Sequence, residues 1–195
     1  MKFHSIAVYC SSSDRVPQSY KEIARQVGHL FAKEKIRLVY GGGDTGLMKM
    51  VSNACMEAGG SVLGIMTEYL ENFEELNLNI TEIKIEKEMH ARKKQMFLEA
   101  EGFLVLPGGL GTLDEIFEIL TWKQIGLHTK PIVFLNHEKF WDSLTPLLDQ
   151  MILSKTVPSW TKNLFYLADA IEDILPGLKK STSAPSNSHN KWQNL

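Results

Sequence analysis

Cysteine is scarce, with only Cys10 and Cys55 in a chain of 195 residues. Two thiols make no disulfide framework, and without a CxxC pair they offer no thiolate metal site. A basic excess is also missing: 21 Lys and Arg stand against 23 Asp and Glu, a net charge of −2. That balance removes the electrostatic footprint of a nucleic-acid or anionic-membrane binder. No run of residues approaches the roughly 18 apolar positions that a bilayer span requires. The apolar segment Ile6 to Cys10 is too short for a signal-peptide core and runs into Ser11-Ser12-Ser13. The histidines form no HExxH or HxH cluster, so no metal is implied. A cytoplasmic protein is expected, with no nucleic-acid or membrane partner.

What remains is an ordinary globular composition, 44% hydrophobic and 23% charged. A domain of this length buries roughly 70% of its unfolded surface and folds without staples. Short β-branched runs alternate with helical periodicities, the pattern of a parallel sheet covered on both faces. Strands are predicted at Ile6–Cys10, Ile36–Tyr40, Ser61–Ile65, Ile80–Ile85, Phe103–Leu106 and Pro131–Leu135. Helices are predicted after Pro17, at Gly46–Ala58, Glu88–Ala100, from Thr112 to about Ile125, at Lys139–Leu153 and at Ala168–Leu175. Residues 67–79 read as a loop with some helix. One domain is expected over residues 1–178. The polar stretch 179–195, rich in Ser, Asn and Lys, has almost nothing to bury and is predicted to be disordered.

Two glycine turns echo each other. Tyr40-Gly-Gly-Gly-Asp-Thr-Gly46 and Leu106-Pro-Gly-Gly-Leu-Gly-Thr112 each follow a strand and open a helix. Ligands of open α/β sheets bind at such carboxyl-terminal turns. Two of them suggest a phosphorylated ligand held between two helix N-termini, with Gly42, Gly43, Thr45 and Gly46 supplying the first. The second turn also fits a capping box, Thr112-x-x-Glu115, which by itself would only start a helix. Three glycines in four positions exceed what a cap needs, and Asp114 and Glu115 place carboxylates beside an anion site.

Upstream, Met89, Arg92, Lys93, Met96 and Ala100 fall on one helical face. Cations on a packed face are costly unless paired. Cys10 reads as a buried thiol. Ser11–Ser13, lacking a GxSxG elbow, read as a polar loop beside a ligand, and His128 and His137 as structural.

Taken together, YGGGDTGLM, MHARK, PGGLGTLDE and Leu120-Thr-Trp-Lys-Gln124 resemble the LOG (LONELY GUY) family, the cytokinin riboside 5′-monophosphate phosphoribohydrolases. The resemblance covers about residues 5–175. It implies a Rossmann-like, doubly wound α/β homodimer that hydrolyses the N-glycosidic bond of nucleoside 5′-monophosphates, releasing free base and ribose 5-phosphate, without a cofactor. Position by position, it makes Glu115 the catalytic glutamate and Arg92 its partner. It assigns substrate contacts to Lys93, to Gly108, Gly109, Leu110, Gly111, Thr112, Leu113 and Asp114, and to Thr121 and Glu74. Arg92 is expected to keep Glu115 ionised. This sequence departs from the family pattern at Ser11, where glycine is usual, at Lys49, also usually glycine, and at Met66, usually proline. Family members have been labelled lysine decarboxylases, yet no lysine here sits in a recognisable pyridoxal phosphate context.

Other readings remain open at this level. A general AMP nucleosidase needs the same residues. A nucleotide-binding carrier or sensor needs the glycine turns but not the Arg92–Glu115 pair, and a homodimeric interaction protein needs neither.

Overall fold

A computed structural model describes residues 2–180, and the predicted tail from 181 onward lies outside the described residues. Among the described residues seven strands are present: β1 (Ser5–Tyr9), β2 (Arg37–Tyr40), β3 (Val62–Thr67), β4 (Glu82–Glu86), β5 (Gly102–Val105), β6 (Ile132–Leu135) and β7 (Tyr166–Ala168). Six α-helices accompany them among the described residues: α1 (Gln18–Glu34), α2 (Gly46–Glu57), α3 (Met89–Glu99), α4 (Leu110–Gln124), α5 (Leu144–Leu153) and, after β7, α6 (Ile174–Lys180).

All six pairings between these strands are parallel, and the strand order is β4-β3-β2-β1-β5-β6-β7. The chain winds outward from β1 to β4, then returns to add β5 on the other side of β1. The order therefore reverses between β1 and β5, and the crevice above that point is where such sheets bind ligands.

Side-chain alternation along the strands divides the core into two layers. Ile6, Val8, Leu38, Tyr40 and Leu104 pack under α1, α2 and α6. Ala7, Tyr9, Val39, Ile65, Phe103 and Phe134 pack under α3, α4 and α5. Strands covered on both faces need apolar residues at every position, which is why they read as continuous hydrophobic runs. Each fully buried Leu, Ile or Phe contributes roughly 1.5–3 kcal/mol.

The largest differences from expectation lie in the last third of the described chain. The predicted helix Ala168–Leu175 is instead the edge strand β7, a single turn at Ile171–Asp173 and then α6. Pro176 falls in the first turn of α6, where proline is tolerated because those N–H groups have no intrahelical acceptor. α6 consequently runs through Lys180, past the expected domain end at 178. The predicted helix at Lys139 begins only at Leu144. Asn136 Oδ1 accepts the Trp141 amide at 2.8 Å, and Glu138 and Lys139 have positive φ, which together form a turn before the helix. No helix among the described residues is long and apolar enough to cross a membrane.

Candidate active site

The loop after β1 and the start of α4 face each other across the reversal point. Ser11 joins the two sides: its amide donates to the Pro107 carbonyl at 3.1 Å, and its carbonyl accepts the Leu47 amide at 2.9 Å. Between them lies a pocket of about 370 Å³. Its polar wall is Ser11, Ser12, Ser13, Glu74, Arg92, Thr112, Asp114 and Glu115, with Gly109, Leu110 and Gly111 at the helix start. Its apolar wall is Val8, Cys10, Met48, Leu70, Met89 and Met96.

α4 starts at Leu110, two residues before the predicted Thr112, and no side chain caps it. Thr112 lies inside the first turn, packed so closely on Gly108 that a Cβ there would sit 2.1 Å from its Oγ1. Gly108 thus lets the turn close. The capping-box account of Thr112 and Glu115 does not hold, because Glu115 is engaged elsewhere. The amides of the first turn, lacking intrahelical acceptors, point at the pocket mouth, where Gly109, Leu110 and Gly111 are exposed.

Glu115 Oε1 accepts from Arg92 Nη1 at 3.3 Å, and both side chains are largely buried, with 14% and 7% exposed. Arg92 is fixed by two further bonds, Nε to the Ile65 carbonyl at 2.8 Å and Nη2 to the Gly41 carbonyl at 3.2 Å. These carbonyls lie in β3 and just after β2, so the sheet itself aims the guanidinium. The expectation that Arg92 keeps Glu115 ionised is corrected. Burial pushes the carboxyl pKa up, Arg92 pulls it down and Asp114 raises it further, leaving it at about 7. Desolvation wins because the carboxylate loses more hydration than one guanidinium, itself shared with two carbonyls, restores.

Lys93, buried on the same helix, pairs with Asp114 at 3.1 Å and Glu118 at 3.3 Å. Burial alone would lower its pKa, but the two carboxylates prevail and raise it. The charge on Asp114, beside the open helix start, is thereby partly neutralised. Lys93, Leu113 and Thr121 do not line the pocket. With Phe117, Glu118 and Trp122 they line a separate shallow groove on α3 and α4, and Asp114 borders both. Thr121 Oγ1 donates to the Phe117 carbonyl at 2.7 Å.

The first glycine turn differs from expectation. Gly42, Gly43, Thr45 and Gly46 are not among the pocket-lining residues. The start of α2 is already occupied by the chain's own groups, since Asp14 Oδ1 accepts the Gly46 amide at 2.9 Å and Ser11 carbonyl the Leu47 amide. Gly46, at φ +53°, has the Ser11 and Ser12 backbone where a Cβ would go. An anion between two helix N-termini therefore has only α4 to use. Asp14 escaped the sequence reading, although an acid closing a serine-rich turn after a strand is a signal for such capping. Met48 and Leu70 also escaped it. Of the three departures from the family pattern, only Ser11 faces the pocket. Lys49 pairs with Asp44 at 2.9 Å, and Met66 is fully buried. His128 is structural, with its ring Nε2 2.8 Å from the Ile119 carbonyl. Among the described residues no cluster of three His, Cys, Asp or Glu could hold a metal.

Strand order, pocket position and the helix start define a Rossmann-like α/β protein carrying a buried carboxylate–guanidinium pair beside an uncapped helix N-terminus. A family model described as "Possible lysine decarboxylase" matches residues 48–178. The chain is 37% identical over 179 residues to cytokinin riboside 5′-monophosphate phosphoribohydrolase LOG2 of Arabidopsis thaliana, covering 92% of this chain and 84% of that one. It is 34% identical over 178 residues to the probable phosphoribohydrolase LOGL6 of Oryza sativa subsp. japonica, covering 91% and 71%. Among solved structures, the molybdenum cofactor carrier protein of Chlamydomonas reinhardtii matches with a TM-score of 0.69 at 19% identity, covering 91% and 96%. A molybdenum cofactor binding protein from Rippkaea orientalis matches at 0.68 and 22%, covering 94% and 99%. At those identities the structural likeness concerns the fold alone. The chain belongs to the LOG family of cytokinin riboside 5′-monophosphate phosphoribohydrolases.

Proposed function

We propose that this chain hydrolyses the N-glycosidic bond of cytokinin riboside 5′-monophosphates, releasing the free base and ribose 5-phosphate. The observation that carries the assignment of roles is the buried Arg92–Glu115 pair, 3.3 Å apart, in the wall of a pocket that also holds the open start of α4. A carrier built on the same fold needs the second of these and not the first.

The 5′-phosphate sits on the amides around Gly109, Gly111 and Thr112, where the helix dipole favours negative charge. Binding energy from that end holds C1′ near Glu115. The C1′–N bond breaks with its electrons passing to the base, which takes up a proton, while the sugar gains oxocarbenium character. Ionised Glu115 stabilises that charge and accepts a proton from the water whose oxygen bonds to C1′. With its pKa near 7, the carboxyl is a base matched to neutral pH. Glu74, on the opposite rim, contacts the substrate. The thioethers of Met48, Met89 and Met96 with Leu70 suit a base bearing an apolar substituent. Among the described residues no lysine lines the pocket, so a decarboxylase Schiff base has no nucleophile from them there.

A homodimer fits the exposed Leu110 and the groove bordered by Leu113, Phe117 and Trp122, and light scattering measures it. Cytoplasmic residence fits two buried free thiols. The activity is tested with AMP, isopentenyladenosine monophosphate, CMP and adenosine, assaying base and ribose 5-phosphate. Release from monophosphates but not from adenosine is expected, with the isopentenyl substrate preferred. No release from any, with nucleotide binding intact, would make the protein a carrier, and equal rates on AMP would make it a general nucleosidase.

A further inference from the structure

Of the glycine turn after β2, Gly41 lines the pocket, while Gly42, Gly43 and Asp44 hold the segment carrying Glu74. Two backbone hydrogen bonds, which together make one antiparallel bridge, join them. The Asp44 amide donates to the Glu75 carbonyl at 2.7 Å and the Asn77 amide to the Gly42 carbonyl at 3.0 Å, which pairs Gly43 with Leu76 in an isolated antiparallel bridge. The side chain of Asn77, 1% exposed, completes the attachment. Its Nδ2 donates to Ser52 Oγ at 3.1 Å and Asn53 Oδ1 at 2.8 Å on α2, and its Oδ1 accepts the Asn79 amide at 3.1 Å. Every hydrogen-bonding group of this residue's side chain is engaged, within a loop that is otherwise largely exposed. Such a buried amide in a surface loop ties that loop to the scaffold.

Glu74 lies three residues from Asn77, between Leu70 and the bridge. Its Oε2 occupies the space beside Gly43, where a Cβ would stand 3.1 Å away. We propose that Asn77 is a positioning residue: it pins residues 70–76 to the glycine turn and to α2, so that Glu74 faces the pocket. This rests on the reading of Glu74 as a substrate contact. It also gives the glycine turn a function, as the dock for the loop rather than a cradle for phosphate.

The test is a double-mutant cycle with Asn77→Ala, Glu74→Gln and the pair, read as kcat/KM per folded molecule on isopentenyladenosine monophosphate. Displacement of a positioned group by about 1 Å can cost 10²-fold, so Asn77→Ala is expected to lose about 10- to 100-fold. On the Glu74→Gln background the same change should cost less than about threefold, because the group it positions is already disabled. Losses that multiply in full, or no loss from Asn77→Ala, would overturn the proposal. Asn53→Ala, which removes one acceptor and leaves Asn77 in place, keeps the test open if Asn77→Ala folds poorly, and the same cycle is then expected at smaller amplitude. Hydrogen exchange supplies a readout free of turnover: amides 70–76 should exchange faster in the Asn77 variant while those of α3 and α4 do not. Faster exchange throughout would mean general destabilisation and refute a positioning role. If the unaltered protein cleaves no nucleotide, the function reading fails separately, and the cycle is read on AMP affinity.

Discussion

Replacing Glu115 by glutamine separates chemistry from stability, because the structure predicts opposite signs for the two. The carboxyl pKa rises from an ordinary 4.5 to about 7 on folding, chiefly through burial. A raised acid pKa means the folded state holds the proton more tightly than the unfolded one. Stability therefore falls as pH climbs from 4.5 to 7 and stays reduced above that window. At 1.36 kcal/mol for each pH unit, the ionised carboxylate costs about 3 kcal/mol at alkaline pH. Glutamine resembles the protonated acid in shape and charge, so the variant escapes that cost. For a domain of this size the gain corresponds to a melting temperature higher by about 6–12 °C near pH 8.5. Near pH 4.5 the difference should shrink toward zero, since the native carboxyl is then protonated as well. Turnover should fall by about 10²–10⁴-fold, the typical contribution of a positioned acid–base group. The assays are thermal melting at both pH values and ribose 5-phosphate release per folded molecule. A variant that melts lower at alkaline pH and keeps its turnover would refute the reasoning and make Glu115 a structural residue.

In the unaltered protein, kcat/KM should rise with pH through about 7 as Glu115 ionises; a flat profile from about pH 5.5 to 8.5 would remove it as the base. Arg92→Ala should abolish turnover and also lower the melting temperature, because it strands the carbonyls of Ile65 and Gly41 at about 1–3 kcal/mol each. Arg92→Lys, with one charged nitrogen in place of three, should recover stability more than activity, which melting and rate measurements on the same samples compare. Asp14→Ala should cost about 1 kcal/mol by uncapping α2, while KM for the nucleotide stays put. A large rise in KM would return the first glycine turn to the phosphate site.

Much of this fold was legible because parallel strands buried on both faces leave unbroken apolar runs, and Val8, Val39 and Leu104 stand in such runs. β7 was not legible: three residues at a sheet edge carry too little pattern to separate from their surroundings. At the site, the pairing of Arg92 with Glu115 followed from motif resemblance, but the direction of the Glu115 pKa did not. That balance depends on how much water the carboxylate loses, which only the packed environment sets. Thr112 and Glu115 satisfy a local capping rule in sequence, and tertiary contacts override it, since Arg92 takes the glutamate.

Composition and periodicity alone determined a parallel α/β sheet covered on both faces with glycine turns at strand ends, because local sterics and two-sided burial leave few other solutions. The two turns looked equivalent on that basis. Only the tertiary structure distinguished them, by delivering Asp14 from another loop to fill the start of α2 and leaving α4 open to the pocket. Such a distinction rests on contacts between residues far apart in the chain, 32 positions in this case, and no local pattern records them.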